Sequence, residues 1–190
     1  MNLRLLVFLS YIYIYININY YIYAIYMIVA KINLDIEIIK LIKTMIFDDV
    51  LLINIFSKGV CITQNINNIS NLSIFIDKKY FNMHDINDEN SFVTNNIHTL
   101  SNLKIEKKNN QFIINNQATV VNDVCNVCKK LIDLKFNKID VDYDQLNIDK
   151  KLNFLKGNQF EIIISNKFNG IVLKTKKNMF DLFINILYSP

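Results

Sequence analysis

The sequence predicts an α+β fold, in which a mainly antiparallel sheet packs in two layers against two to four helices. Strand-like alternation of polar and apolar residues recurs along the chain, and two predicted hairpins are each followed by helical periodicity, around residues 103–136 and 160–187. Helices in this order are expected to cover one face of the sheet. An apolar N-terminal extension, residues 1–30, precedes this single predicted domain at residues 31–190.

The first predicted elements are strands joined by short turns. From Lys31 polar and apolar residues alternate until Ile39 breaks the rhythm, which fits a half-buried strand, with a short helix as the alternative. An apolar run at 50–56 and the residues 60–63 flank a Ser-Lys-Gly turn and predict a hairpin. This half of the domain is therefore expected to form mainly sheet.

A polar segment follows the next predicted strand, at residues 72–76. Residues 82–102 contain Asp85, Asp88 and Glu89 and show little periodicity. They predict a long surface loop within the domain.

The middle of the chain predicts a hairpin, a helix and a strand. The segments 103–107 and 111–115 flank Lys-Asn-Asn, and Asn tolerates the positive φ of a tight turn. Between residues 118 and 136 the apolar positions recur at helical spacing, and lysines lie in the later turns, where the helix dipole favours them. Residues 139–143 alternate with aspartates and predict a strand with an acidic face. The apolar positions of the predicted helix are Val121, Val124, Cys128, Leu131 and Ile132.

A short helix is predicted after this strand. Ile148, Leu152 and Leu155 share one stripe, Asp144 is placed to cap the N-terminus, and Gly157 is placed to end the helix.

The last predicted elements are a hairpin and a helix. The segments 160–165 and 171–175 flank an Asn-Gly pair, which is a strong turn signal. Asn178 is placed to cap a final helix whose apolar face contains Phe180 and Phe183.

Composition excludes several classes of protein. The 190 residues carry a net charge of +4, are 52% hydrophobic and have a mean hydropathy of +0.19, which fits neither a disordered chain nor a polytopic membrane protein. With only three glycines and one proline, Asn has to supply the left-handed turns. The Tyr-Ile repeats of residues 11–26 are what alternating T and A nucleotides encode, which indicates a low-complexity N-terminus and an AT-rich genome.

The N-terminal segment, residues 1–30, has two interpretations. No charged residue lies between Arg4 and Lys31, and about 26 residues suffice to cross a hydrocarbon core, so the segment predicts a transmembrane helix that acts as a signal anchor. Its Tyr and Ile alternate with a period of two, and Asn17 and Asn19 would lie within the membrane, which favours a translated simple repeat upstream of the true start.

The translation start decides between these interpretations. A chain that begins at Met1 is expected to be membrane-anchored, whereas a chain that begins at Met27 or Met45 is expected to be cytoplasmic.

Cys125 and Cys128 form the strongest candidate for a metal or thiol site. Their C-x-x-C spacing brings two sulfurs to one ion or to each other. Cys61, His84 and His98 are the further candidate ligands, and none belongs to a second paired spacing. Inside a predicted helix the two cysteines are neighbours on the buried face, so core packing is the alternative interpretation.

Other catalytic and binding motifs fail on their spacing. Asp140, Asp142 and Asp144 resemble the start of a calcium loop, but Gln145 and Lys151 occupy the positions that require Gly and Glu. Three isolated glycines exclude a Gly-rich phosphate loop, and the two histidines have no spacing that favours a catalytic triad. The sequence therefore predicts no catalytic residue and no cofactor, and leaves open an enzyme whose residues converge only in three dimensions.

The leading functional hypothesis is a non-catalytic interaction or structural subunit that binds another protein through a sheet edge or a helix face. A membrane is a further partner if the N-terminal segment is translated. The alternative is a nucleic-acid-associated factor that uses its Lys pairs and neighbouring aromatic residues. A zinc or thiol site at Cys125 and Cys128 is the third hypothesis. The Lys pairs are residues 78–79, 107–108, 129–130, 150–151 and 176–177.

Overall fold

The protein is seen in a computed structural model that describes residues 27–108, 111–123, 129–131, 140–143, 146, 149–165 and 170–187. Most of the regular structure in these ranges is strand. The strands are β1 Met27–Leu34, β2 Leu51–Phe56, β3 Gly59–Asn67, β4 Ser70–Asp77, β5 Phe81–Ile86, β6 Asn90–Thr94, β7 Leu103–Lys108, β8 Gln111–Ile114, β9 Gln117–Thr119, β10 Val121–Asp123, β11 Asp140–Asp142, β12 Gln159–Ser165, β13 Gly170–Lys177 and β14 Phe180–Leu187. The helices are α1 Ile36–Lys43 and the 3-10 helices η1 Lys78–Tyr80, η2 Ile97–Ser101 and η3 Lys150–Leu155.

The strands form two antiparallel sheets. One has five strands in the order β5-β1-β7-β8-β9, and the other has nine in the order β10-β6-β2-β3-β4-β14-β13-β12-β11. Hairpins join β2 with β3, β7 with β8 and β12 with β13, as their turn sequences predict. The large sheet therefore runs from the first half of the chain into the second.

The main core lies between the two sheets and under the short helices. Alternate residues of β2, β3 and β4 are buried on one face, as are Ile32 of β1 and Ile105 of β7 from the smaller sheet. Ile39 and Ile42 of α1 join them, and Leu152 and Leu155 of η3 cover the second half of the large sheet. Because side chains alternate between the two faces of a strand, the apolar faces of the two sheets can pack against each other.

A second apolar cluster lies on the opposite face of the large sheet. It contains Phe56, Cys61, Phe75, Leu131, Val172 and Phe183. Both faces of the central strands are therefore largely buried, and several of their polar residues, among them Asn54, Gln64 and Ser73, are buried with them.

The predicted two-layer α+β fold is wrong. Two large sheets contain most of the regular structure, and the helices of the described residues are short. The final predicted helix is strand β14, which pairs with β4 on one side and β13 on the other. Its apolar residues satisfy helical spacing only because both of its faces are buried, and Asn178 lies in the turn before it.

The predicted helix at 118–136 is only partly within the described residues. Its start belongs to β9 and β10, residues 129–131 are helical, and the remainder lies outside the described residues. The predicted loop at 82–102 contains β5, β6 and η2. The segment at 31–38 contains both elements considered for it, because β1 leads directly into α1.

The prediction of a transmembrane helix is wrong for the residues that the structure describes. Within them no helix is long and apolar enough to cross a membrane. Residues 27–30 of the N-terminal segment begin strand β1, and residues 1–26 lie outside the described residues.

Candidate interaction surface

The candidate surface begins at strand β6 of the large sheet, which extends beyond the end of its neighbour β10. The short strand β10 pairs with β6 only between Asn90 and Phe92. On its other side β6 continues to pair with β2 as far as Thr94. The edge of β6 at Val93 and Thr94 is therefore not covered by β10.

Three exposed valines surround this uncovered edge. Val50 precedes β2, Val93 lies in β6, and Val120 joins β9 of the small sheet to β10 of the large sheet. Their exposed fractions are 57%, 55% and 76%. Burial of such side chains is favourable, so a cluster of exposed ones marks a candidate contact surface.

A cleft of about 500 Å³ lies between the two sheets at this point. We call it the valine cleft. Its lining residues are Val50, Phe92, Val93, Thr94, Asn95, Thr99, Ile114, Asn115, Gln117 and Thr119. None of these side chains is acidic, basic or a thiol, so the lining offers neither a general acid and base nor a metal ligand set.

Local hydrogen bonds shape the wall of the valine cleft. Asn115 and Asn116 adopt positive φ in the turn between β8 and β9. The side-chain Oδ1 of Asn115 accepts a hydrogen bond of 2.8 Å from the backbone N–H of Lys104. This turn is thereby held against β7, and it sets the position of β9 at the mouth of the cleft.

A second cleft of about 440 Å³ lies beside the first, and Thr119 lines both. Phe112, Ala118, Val120 and Val121 contribute apolar atoms to it. The two clefts together make a continuous surface from one sheet to the other, in which the first cleft has a mixed lining of polar and apolar residues and the second a mainly apolar one.

The predicted metal and thiol residues do not come together within the described chain. Cys125 and Cys128 lie outside the described residues, whereas Cys61 is buried in the second apolar cluster. His84 lies in β5 and His98 in η2. Among the residues that the structure covers, no group of three His, Cys, Asp or Glu side chains is placed to hold a metal ion.

His84 is half-buried, and its ring lies 5.1 Å from the ring of Phe81 between centroids. Its Nε2 atom is buried without a hydrogen-bond partner among the described residues. Burial lowers the pKa of His84 below 6.5. A backbone hydrogen bond at Gly59 raises this pKa, and the charge of Lys78 lowers it further. The arrangement favours a neutral imidazole.

Glu89 connects three separate segments. Its Oε1 accepts hydrogen bonds from the backbone N–H and the hydroxyl of Ser57, at 3.1 and 3.0 Å. Its Oε2 accepts one from Lys129 at 2.5 Å. The Lys129 hydrogen bond, followed by those of Ser57, lowers the pKa of Glu89. This contact ties the helical residues 129–131 to the edge of the large sheet.

The aspartates of the rejected calcium loop lie at the other edge of the large sheet. Asp140 and Asp142 are both in β11, which pairs with β12, and Asp144 lies outside the described residues. Charged residues on an edge strand discourage unwanted pairing.

The valines of the cleft were not predicted as site residues. Val93 lies in a segment that its polar neighbours marked as a loop, and Val120 lies where helical spacing was inferred. The available signal was the adjacent apolar pair Phe92-Val93 within a mainly polar segment.

Comparison with known proteins gives little further information. No protein-family model matches the chain, and no curated protein matches it. Among solved structures it is similar to a chain of the complex described as "C-terminal region of FEN-1 bound to A. fulgidus PCNA". The similarity covers 85% of this chain and 98% of that chain, with a TM-score of 0.44 and 8% identity.

Proposed function

We propose that the protein is a non-catalytic interaction subunit that binds another protein at the valine cleft. The observation that carries this proposal is the meeting of an uncovered sheet edge with three exposed valines. The lining also lacks ionisable side chains, which favours binding over catalysis.

The partner segment that fits this surface is an extended strand with aliphatic side chains. An added strand would take backbone hydrogen bonds from the end of the β6 edge that β10 leaves uncovered. Because backbone N–H and C=O groups alternate sides along a strand, one of Val93 and Thr94 directs its groups to this edge and the other towards β2. Alternate side chains of that strand would then face the apolar part of the lining, which Val50, Phe92, Val93 and Ile114 form between the sheets. The backbone hydrogen bonds of the β6 edge and the apolar contacts of the valines are available together only at this place.

Site-specific photo-crosslinking tests the proposal. A benzophenone amino acid placed at Val93 or Val120 is expected to capture the same partner protein in cells, through an extended segment of that partner. The control position is Ile69, which is 45% exposed in the turn between β3 and β4 and lies outside both clefts. Capture of the same proteins from Ile69, or crosslinks only between copies of this chain, would overturn the proposal.

Val93→Asp provides a second test on the captured partner. The charge is expected to weaken binding at least about tenfold, because it would have to be buried in an apolar contact. Since Val93 is 55% exposed in the free protein, the stability of the variant should change little. Ile69→Asp is the matched control and should bind normally.

A further inference from the structure

Two of the Lys pairs meet at one end of the large sheet, although almost a hundred residues separate them in the chain. Lys78 and Lys79 follow β4, while Lys176 and Lys177 end β13. Strand β14 pairs with both β4 and β13 and thereby brings the two pairs to the same end.

A fifth lysine joins them through the neighbouring turn. Lys58 lies between β2 and β3, and its carbonyl accepts a hydrogen bond of 2.9 Å from the backbone N–H of Lys78. The register confirms the alignment, because Gly59 pairs with Asp77 and Lys177 pairs with Phe180. We call this surface the lysine end, and its cations are Lys58, Lys78, Lys79, Lys176 and Lys177.

The acidic groups at the lysine end only partly balance its charge. Asp77 lies 3.9 Å from the Lys79 ammonium, and Asp181 lies 3.8 Å from that of Lys176. The Lys79 and Lys176 side chains remain 64% and 75% exposed, so both pairs are well solvated and weak. Among the described residues, Asp77 and Asp181 are outnumbered by Lys78, Lys79, Lys176 and Lys177, so this surface is positive. Nearby, Glu89 and Lys129 neutralise each other.

The local potential also acts on a neighbouring group. The charge of Lys78 is one of the causes that lower the pKa of His84, after burial. The charge of Asp77 opposes this effect on the pKa of His84.

We infer that the lysine end binds the phosphate backbone of nucleic acid without regard to sequence. Strands β3, β4, β14 and β13 are neighbours, so three spacings of about 4.8 Å spread the lysines over about 14 Å. With phosphates about 3.4 Å apart along the axis of a duplex strand, that distance spans about four of them.

The kinds of side chain support backbone contacts. Each cation at the lysine end is a lysine, which acts as a point charge, and the chain's one arginine is Arg4. Base reading in a groove commonly relies on the bidentate contacts of Arg.

A membrane is a poorer fit to this surface. Of its exposed side chains, Met179 is the large apolar one, at 36% exposed. Binding at a lipid interface usually requires an apolar face beside the basic one.

Fluorescence anisotropy with a labelled DNA duplex of mixed sequence tests the inference on the full chain. The wild-type protein is expected to bind at low salt, with log K falling linearly as log salt rises. The double variant Lys78→Gln, Lys177→Gln should bind at least about tenfold more weakly at low salt. The slope of log K against log salt should be smaller in magnitude by about 1.8, because each of the two lost phosphate contacts contributes about 0.9.

The matched control is Lys107→Gln, Lys108→Gln, which removes an adjacent pair from β7 of the small sheet. This variant should keep the wild-type slope, and circular dichroism should show that both variants are folded. The inference is overturned if the wild type does not bind the duplex at low salt, if the control loses as much affinity as the test variant, or if only vesicles with anionic lipid are bound. None of these outcomes depends on the valine cleft.

Discussion

At the scale of single residues, burial changes what His84 can do. Its ring contacts Phe81, and its Nε2 atom has no partner within the described chain. A charged imidazole at this position would lose more hydration than the backbone hydrogen bond at Gly59 replaces. The sequence did not predict this environment, because His84 lies among polar residues that resemble a surface loop.

The protein should lose stability as the pH falls below about 6.5. The pKa of His84 is lower in the folded protein than 6.5, so the unfolded chain takes up its proton first and is favoured as the pH decreases. In His84→Gln this contribution to the pH dependence should disappear. Urea unfolding at several pH values between 5 and 8 measures the slope, and an equal slope in the two proteins would contradict the assignment.

At the scale of elements, the hairpins were predicted better than the helices. The final predicted helix is strand β14, whereas the predicted short helix with Leu152 and Leu155 is η3, which Asp149 caps instead of Asp144. Asn and Gly mark the turns that join β7 with β8 and β12 with β13. In β14 both faces are buried, since Leu182 and Ile184 join one cluster and Phe183 the other. A run of apolar residues carries no period that separates strand from helix, so the final element was assigned wrongly.

Gly59 is the turn residue with the strictest requirement. Its φ is +155°, and a Cβ at this position would lie 2.1 Å from the carbonyl oxygen of Ile76 on the neighbouring strand. The β2–β3 turn and the pairing of β3 with β4 both depend on this approach.

Gly59→Ala should lower the free energy of unfolding by at least about 2 kcal/mol, because the methyl group collides with backbone. Gly157→Ala is the matched control, since φ there is +80° but nothing lies within 4 Å of the added Cβ. The control should cost only about 1 kcal/mol for the left-handed conformation. Chemical denaturation of both variants gives the comparison, and equal losses would show that the close approach is not the cause.

At the scale of the whole molecule, the large sheet makes the two halves of the described chain one structure. Strand β4 of the first half pairs with β14 of the second along six residue pairs, from Asp181 with Phe75 to Ile186 with Ser70. This pairing, the valine cleft and the lysine end all depend on contacts between distant segments. The sequence predicted neither surface. Val50, Val93 and Val120 belong to three different segments, and the two Lys pairs of the lysine end lie in opposite halves of the chain.

Leu182→Ala tests this unity. Leu182 is fully buried and pairs with Ile74 across the junction, so its truncation should cost about 3 kcal/mol. If the halves unfold together, hydrogen exchange should show the same loss of protection in the slowest amides of β3 and of β13. A loss confined to β13 would mean that the second half opens independently.

The pairing of β4 with β14 also affects how the protein is made. Ile74 leaves the ribosome more than a hundred positions before its partner Leu182, so one side of β4 has no native neighbour during most of translation. A nascent chain in this state exposes an apolar strand edge that invites aggregation. We therefore expect efficient synthesis to depend on a chaperone that binds the free edge of β4 until β14 has been synthesised.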